Sequence, residues 1–545
     1  MPTVIVDGQE IEIGADERLN CIEAARRAGV EIPHYCWHPG LSVVASCRMC
    51  LIQAGTRNAE TGEVSMIPKL VPGCQTPVKD GTVIVTNSDA VHESRARVEE
   101  ALLIDHPIDC PICDKAGECL LQDYHFEHGQ SERRADIHAF SSRRRDVGPT
   151  VTLFVDRCIM CTRCVRFTRE VSGTAELMVS ARGAKEEIDT FPDFPLENKL
   201  AGNVVDLCPV GALGDKDFLY QQRVWFLKKT ENVCGGCSAG CSIVTEHNQD
   251  TVYRLKPREN LHVNKWWMCD EGRYGWHHLH NEARIVEASR RDSEDSRTIE
   301  WADVLSRLPK DLNDAGRLGV AVSPMLTIEE AWMLCSVAKT IDSDAYLAVG
   351  YVPSTAHDES FPGGFTIRGE KAPNRIGVEM VLSMFGAVSE NGTVPGWDDF
   401  LNQVQEKTIQ SAWVTAGYPT PETSWCDEAT AATFEGLNCL VVQDLFESPL
   451  SNRATWCLPA VGFAERSGTW VNYGHWAQTF EQAIRPPAGV WPEGRFFWNL
   501  LGRQGLYDPE SIRKQIAESS ANFAALSGDV PAIGLDLRLQ QVAVT

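Results

Sequence analysis

Apolar and polar positions alternate over residues 4–13 on either side of Asp7-Gly8, which predicts two short strands joined by a tight type I′ turn. An amphipathic helical pattern over residues 18–28 follows, and a strand pair leading into a helix suits a small β-grasp domain. Residues 51–73 predict an extra, peripheral hairpin. A second helical pattern covers 88–104 and stops at His106-Pro107, because proline holds the residue before it in extended backbone. Farther along, apolar runs over 319–323, 346–352 and 437–444 predict strands, with helical periods over 327–341 and 377–388 between them. Such alternation predicts an α/β arrangement about a parallel sheet.

A chain of 545 residues predicts roughly three or four domains, since single cores stop growing well below that length. Hydrophobic residues at 43% and charged residues at 23% are ordinary globular values and exclude wholesale disorder. The net charge of -24 argues against general polyphosphate binding. The opening MPTVIVDGQEIEI has no basic stretch followed by an apolar one, and no run of about 18 uncharged apolar residues occurs. The expectation is therefore a cytoplasmic chain that reaches a membrane only through partners.

The cysteines change the picture most. There are 20, and a disulfide framework of that size belongs to short secreted chains rather than to a long leaderless one. Metal binding becomes the leading reading, because all but Cys335, Cys426, Cys439 and Cys457 lie at or before Cys269. Cys36, Cys47, Cys50 and Cys74 form a first set, C-x10-C-x2-C with a distant fourth thiolate. Soft thiolates suit zinc or an iron–sulfur cluster. The long first gap argues against a zinc knuckle, and three early cysteines with one late follow the plant-type [2Fe–2S] order, though not its C-x4-C-x2-C spacing. Cys21 lies between apolar helix positions and reads as a buried structural thiol.

The second set, in HPIDCPICDKAGEC, has only three cysteines, Cys110, Cys113 and Cys119, so the nearest fourth ligand is His106. A neutral imidazole in place of a thiolate leaves a cluster less negative. The third set is Cys158, Cys161 and Cys164 with Cys208-Pro209. In two-cluster bacterial ferredoxins each run is C-x2-C-x2-C-x3-C-P, and the last cysteine of one run serves the cluster of the other. That register places the missing ligands at Thr168, Asn198, Ala201 and Val204, so one crossed cluster is kept and the other is lost. The fourth set is Cys234, Cys237, Cys241 and Cys269, C-x2-C-x3-C-x27-C. Zinc remains possible there, but the unequal triad with a distant fourth ligand favours [4Fe–4S]. Neither G-x-G-x-x-G after a strand nor G-x4-G-K-[ST] occurs, so no nucleotide site is expected.

In this order, HPIDCPICDKAGECLLQDY, DRCIMCTRCVRF and the lone CPVGAL resemble the large iron–sulfur subunit of bacterial NADH–quinone oxidoreductase (complex I), over at least residues 1–280. The resemblance implies one [2Fe–2S] cluster on the first set, a His/Cys3 [4Fe–4S] cluster on the second and all-cysteine [4Fe–4S] clusters on the third and fourth. It implies that the first three lie on the electron route from a flavin-bearing neighbour towards quinone, with the fourth off that route. Implied partners are the NADH-oxidising FMN/[4Fe–4S] flavoprotein subunit, its small [2Fe–2S] companion and downstream iron–sulfur subunits, on the inner face of the cell membrane. Neither nucleic acid nor direct membrane insertion is expected.

LPAVGFAERSGTWVNYGHWAQ resembles the molybdopterin oxidoreductase superfamily through Glu465, Gly468, Thr469, Asn472, Gly474 and Gln478. Active members commonly carry a lysine where this chain has Glu271, and Glu-Gly-Arg where it has Tyr473-Gly474-His475. The region therefore reads as vestigial and structural, molybdopterin is not expected, and Cys335 reads as core. The expected fold is multidomain, α/β and α+β: a β-grasp [2Fe–2S] ferredoxin domain (1–86), a His/Cys3 domain (87–140), a bacterial-ferredoxin-like [4Fe–4S] domain (141–226), a molybdopterin-oxidoreductase-type [4Fe–4S] domain (227–283) and a degenerate α/β domain (284–545). The rival readings are an iron–sulfur subunit of an NAD-linked hydrogenase and a formate dehydrogenase.

Overall fold

Asp7 and Gly8 take φ angles of 46° and 87°, the left-handed pair that a type I′ turn requires. They join the antiparallel strands Thr3–Val6 and Gln9–Glu12. Thr3–Val6 also pairs in parallel with Thr82–Val85, which runs antiparallel to Leu51–Arg57. The helix Cys21–Arg27 packs Ile22, Ala24 and Ala25 with Val4, Val6, Ile52 and Ile84, and this core completes a β-grasp domain.

The computed structural model describes residues 1–132, 134–135, 144–183, 185–292, 295–355, 357–420 and 425–539. The expected domain boundary at 140/141 lies outside them. The chain divides into two compact units, Met1–Phe226 with Phe361–Gly364, and Leu227–Ser360 with Phe365–Thr545.

Two expectations for the first unit change. The first helix begins at Cys21, not at residue 18, because the Asn20 side chain accepts from the Glu23 N–H while Glu23 accepts from the Asn20 N–H, a capping box that fixes the start. Residues 51–57 are not peripheral: Leu51–Arg57 lies between Thr82–Val85 and Val64–Met66 in the sheet, with Ile52 and Ala54 buried. The helix Asp89–Asp105 stops where His106, before Pro107, turns extended at ψ 124°. Leu120–His128 follows, then the strand Val151–Phe154 between Arg144–Asp146 and Leu213–Asp215. The short helices Arg163–Glu170 and Asn203–Leu207 pack beside it, and Thr168, Ala201 and Val204 fill apolar interior where a second cluster's ligands would have stood.

The second unit opens with the antiparallel strands Lys228–Val233, Ser242–Asn248 and Thr251–Pro257. Its main sheet has seven strands: Asp295–Thr298, Ser289–Asp292, Trp456–Pro459, Cys439–Asp444, Ser411–Thr415, Leu318–Val322 and Tyr346–Val349, in spatial order. The last five are parallel. Leu318, Val320 and Val322 face one core with the helix Ile328–Ile341, while Ala321, Ala412 and Val414 face another with Trp397–Gln405. Burial on both faces explains why Leu318–Val322, Tyr346–Val349 and Cys439–Asp444 read as apolar runs. The helix expected over 377–388 spans Arg375–Met384 and ends as Gly386 turns left-handed at φ 75°. Cys335 is fully buried in the first of these cores. Among the described residues no helix is long and apolar enough to cross a membrane.

Candidate metal centres

The four cysteines of the first set lie on loops around the β-grasp core. Cys36, Cys50 and Cys74 are buried, and left-handed Ala45 and Arg48 (φ 52° and 59°) bend the loop that presents Cys47. The Cys36 sulfur is within hydrogen-bonding reach of those of Cys47 and Cys74, and the Cys50 sulfur within reach of that of Cys74. The Gly73 N–H donates to the Cys50 carbonyl at 2.8 Å, tying the late cysteine to the early three.

In the third set, Cys158, Cys161, Cys164 and Cys208 line one enclosed void with Leu153, Ile159, Ile188 and Leu213. Met160 and Thr162 take φ of 51° and 59°, and this tight winding points the closely spaced cysteines inward. The Met160 N–H lies 3.4 Å from the Cys158 sulfur. Burial pushes the Cys161 thiol up to about 11. A buried set of this kind holds neutral thiols until a cationic group displaces their protons.

The second set wraps the segment before Leu120–His128. Cys119 stands at the N-cap of that helix, where the nearby Leu121 and Gln122 amides favour its charged form, the favourable place for a developing thiolate. His106 Nδ1 is buried with no hydrogen-bond partner. Burial, and then the charge of Arg157, lower the His106 pKa to about 4, so its imidazole is neutral and free to ligate. A Cβ on Gly211 would lie 2.2 Å from the Cys113 sulfur, so glycine there keeps space that any side chain would take.

The third set stands between the other two of this unit. The Leu120 N–H, next to Cys119, donates to the Pro209 carbonyl, next to Cys208, at 2.9 Å. Arg157, beside Cys158, pairs with Asp109, beside Cys110, at 3.1 Å. On the other side, Arg163 donates to the carbonyls of Leu207 and Trp37, at 3.2 and 2.6 Å. Arg166 donates to the carbonyls of Cys36 and Cys161. Sequence reasoning missed these basic residues, and their only signal was their place inside DRCIMCTRCVRF.

The fourth set belongs to the second unit. Cys234, Cys237 and Cys241 lie in the turn between its first two strands, and Cys269 caps Asp270–Tyr274 with the Gly272 N–H 3.3 Å from its sulfur. All four line an enclosed void with Met268 and Phe365. A Cβ on Gly272 would stand 2.9 Å from the Cys234 sulfur. Burial pushes the Cys234 thiol up to about 12. The superfamily-like residues hold this loop: Asn472 donates to the Ala239 carbonyl at 3.0 Å and Gln478 to the Gly240 carbonyl at 2.7 Å. Glu465 forms a two-pronged ion pair with Arg284 at 2.7 and 2.8 Å. Glu271 is paired with Lys371 at 2.6 Å, beside a cavity of about 420 Å³ also lined by Tyr418, Arg466 and Trp470. Among the described residues no three His, Cys, Asp or Glu side chains converge as a single metal ion requires.

Four family models match the chain in succession. They are a 2Fe-2S iron-sulfur cluster binding domain over residues 2–89, the NADH-ubiquinone oxidoreductase-G iron-sulfur binding region over 95–134, the NADH-quinone oxidoreductase subunit 3 ferredoxin-like domain over 148–214, and the molybdopterin oxidoreductase Fe4S4 domain over 227–281. The G subunit of the NADH-quinone oxidoreductase of Rickettsia felis is 33% identical over 353 residues, 63% of this chain and 49% of that one. The mitochondrial NADH-ubiquinone oxidoreductase 78 kDa subunit of Neurospora crassa is 37% identical over 333 residues, 60% of this chain and 43% of that one. In its iron–sulfur segments the chain is similar to the large iron–sulfur subunits of NADH–quinone oxidoreductases. It spans about half the length of these relatives. Each matched model spans one of the four candidate sets, and the chain is an iron–sulfur protein. A solved NAD+-reducing [NiFe]-hydrogenase chain is 28% identical and covers 41% of this chain and 91% of its own length, with a TM-score of 0.33.

Proposed function

We propose that the chain is the iron–sulfur relay of an NADH–quinone oxidoreductase, with one [2Fe–2S] cluster on Cys36, Cys47, Cys50 and Cys74. Three [4Fe–4S] clusters would occupy His106, Cys110, Cys113 and Cys119; Cys158, Cys161, Cys164 and Cys208; and Cys234, Cys237, Cys241 and Cys269. When bound, such clusters supply reversible one-electron chemistry. The chain itself sets their order, spacing and surroundings. The five segments named above serve as its domains, with the last a scaffold.

The observation that carries this reading is the succession of sets in the first unit. Backbone and side-chain contacts link the first set to the third through Arg163 and Arg166, and the third to the second through Leu120, Pro209 and the Arg157–Asp109 pair. The path therefore runs first, third, second, with the third in the middle. At its second-set end Ile108, Ile112 and Trp225 are exposed, an apolar surface of the kind that meets a neighbouring subunit. The partners we assign are the NADH-oxidising flavoprotein subunit, its small [2Fe–2S] companion and a downstream iron–sulfur subunit, all peripheral to the membrane. No NADH site is assigned to this chain.

His106→Ala tests the assignment that rests on one non-cysteine ligand. In the assembled complex it should remove one [4Fe–4S] signal from low-temperature EPR and slow quinone reduction. Four intact signals at full rate would overturn it. Iron and acid-labile sulfide analysis tests the relay as a whole, and zinc without sulfide would end it.

A further inference from the structure

Arg163 and Arg166 lie three residues apart on one helix face and are 6% and 8% exposed. Their guanidinium groups spend their hydrogen bonds on backbone carbonyls. Arg163 reaches Trp37 and Leu207, neighbours of Cys36 and Cys208, and Arg166 reaches Cys36, Ser42 and Cys161. The Nε of each is buried without a partner, and neither has a carboxylate within ion-pair distance among the described residues. Two buried arginines of the second unit differ: Arg284 is matched by Glu465, and Arg466 by Glu330 and Glu493.

A buried cation needs negative charge nearby. Among the described residues, the source that would serve both groups is the pair of thiolate sets whose loops they hold through backbone carbonyls. The geometry points to Arg163 and Arg166 as a shared cationic bridge that raises the reduction potentials of the first and third clusters together. Reduction adds one negative charge to a cluster, and a fixed positive charge in a low-dielectric interior favours that form. Because the same two groups lie beside both sets, both potentials rise and the difference between them changes little. These are positioning residues: they ligate nothing, and they also hold the Cys36 and Cys161 loops at a set separation. The inference rests on the cluster assignments above.

The test is an EPR-monitored redox titration of the whole complex carrying Arg163→Gln or Arg166→Gln, with Arg→Lys at the same positions as the charge-retaining controls. At a fixed potential the reduced-to-oxidised ratio of the first and third clusters should fall about tenfold in the Gln variants, equivalent to 59 mV for a one-electron couple. The second and fourth clusters should not move, and the Lys variants should keep the unmodified ratios. If the Gln variants lose the two clusters while the Lys variants keep them at the original ratios, charge is still the requirement and the inference stands. Unchanged ratios in Gln variants with all clusters present would overturn it, as would loss of both clusters in the Lys and Gln variants alike. The number of signals and the sulfide content of the unmodified complex report separately on the cluster assignments.

Discussion

The two units of this chain differ in where they leave buried charge uncompensated and in how they bury apolar area. In the first, sheets of two to six strands and short helices surround three cysteine sets, and Arg163 and Arg166 sit buried without carboxylates. In the second, a seven-stranded sheet is covered on both faces by apolar cores, and the buried Arg284 and Arg466 are closed into ion pairs with side chains almost wholly inaccessible. Burial on both faces of a parallel sheet makes a core that stands without a metal. The first unit has less apolar interior per segment and leaves its charge balance to whatever the thiolates hold. Under the proposed assignment, one part of the chain is built around its clusters and the other carries a cluster at its edge.

Removing iron should break that comparison most strongly. Chelation under reducing conditions, followed by hydrogen exchange, is expected to abolish protection over Cys36–Cys74 and Cys158–Cys208 while the strands Leu318–Val322, Ser411–Thr415 and Cys439–Asp444 remain protected. Uniform loss across both units would show that the second also depends on metal. Two glycines sharpen the contrast at the level of single atoms. Gly211→Ala places a methyl group against the Cys113 sulfur and should remove the second cluster's EPR signal and bring quinone reduction near background. Gly272→Ala crowds Cys234 in the same way and should remove only the fourth signal, with the rate kept.

A smaller effect comes from the closed ion pairs. Arg466→Met leaves Glu330 and Glu493 buried without their cation, and breaking such a pair costs roughly 3–5 kcal/mol, visible as a lower melting transition for the second unit alone. The smallest expected effect is a pH dependence in the first unit. Burial raises the Glu99 pKa from 4.5 to about 7, against the opposing hydrogen bond from the Tyr35 hydroxyl. Because the folded state holds this proton more tightly, its contribution is complete below about 4.5 and is lost as pH rises to about 7. Glu99→Gln should flatten the fall in melting temperature across that window, a change on the order of 2–3 kcal/mol in stability. An equal slope in both proteins would place the titration elsewhere.

Much of the fold was legible because its signals are local. Asp7-Gly8 announces its own turn, Pro107 ends its own helix, and Thr327 caps Ile328–Ile341 from within four residues, its side chain accepting from the Glu330 N–H at 3.2 Å. Residues 51–57 misled because a strand's place in a sheet depends on which partner it meets, and Thr82–Val85 lies far along the chain. Ser411–Thr415 and Trp456–Pro459 gave no signal because the apolar run in each is only three residues long, Ala412–Val414 between Ser411 and Thr415 and Trp456–Leu458 before a proline.

The candidate ligands themselves come from the sequence, because a metal centre asks for particular atoms at particular spacings, and CIMCTRC or CPIC carries that chemistry wherever it stands. Their order could not come from it. Along the chain the sets run first, second, third; in space the third stands between the other two, joined to one by Arg163 and Arg166 and to the other by the Leu120–Pro209 hydrogen bond. Proximity in a fold is settled by packing between distant segments, and packing also decided that two arginines beside the cysteines would be buried rather than solvated. Spacing names the donors, and only the tertiary structure decides which donors are neighbours and what charge they share.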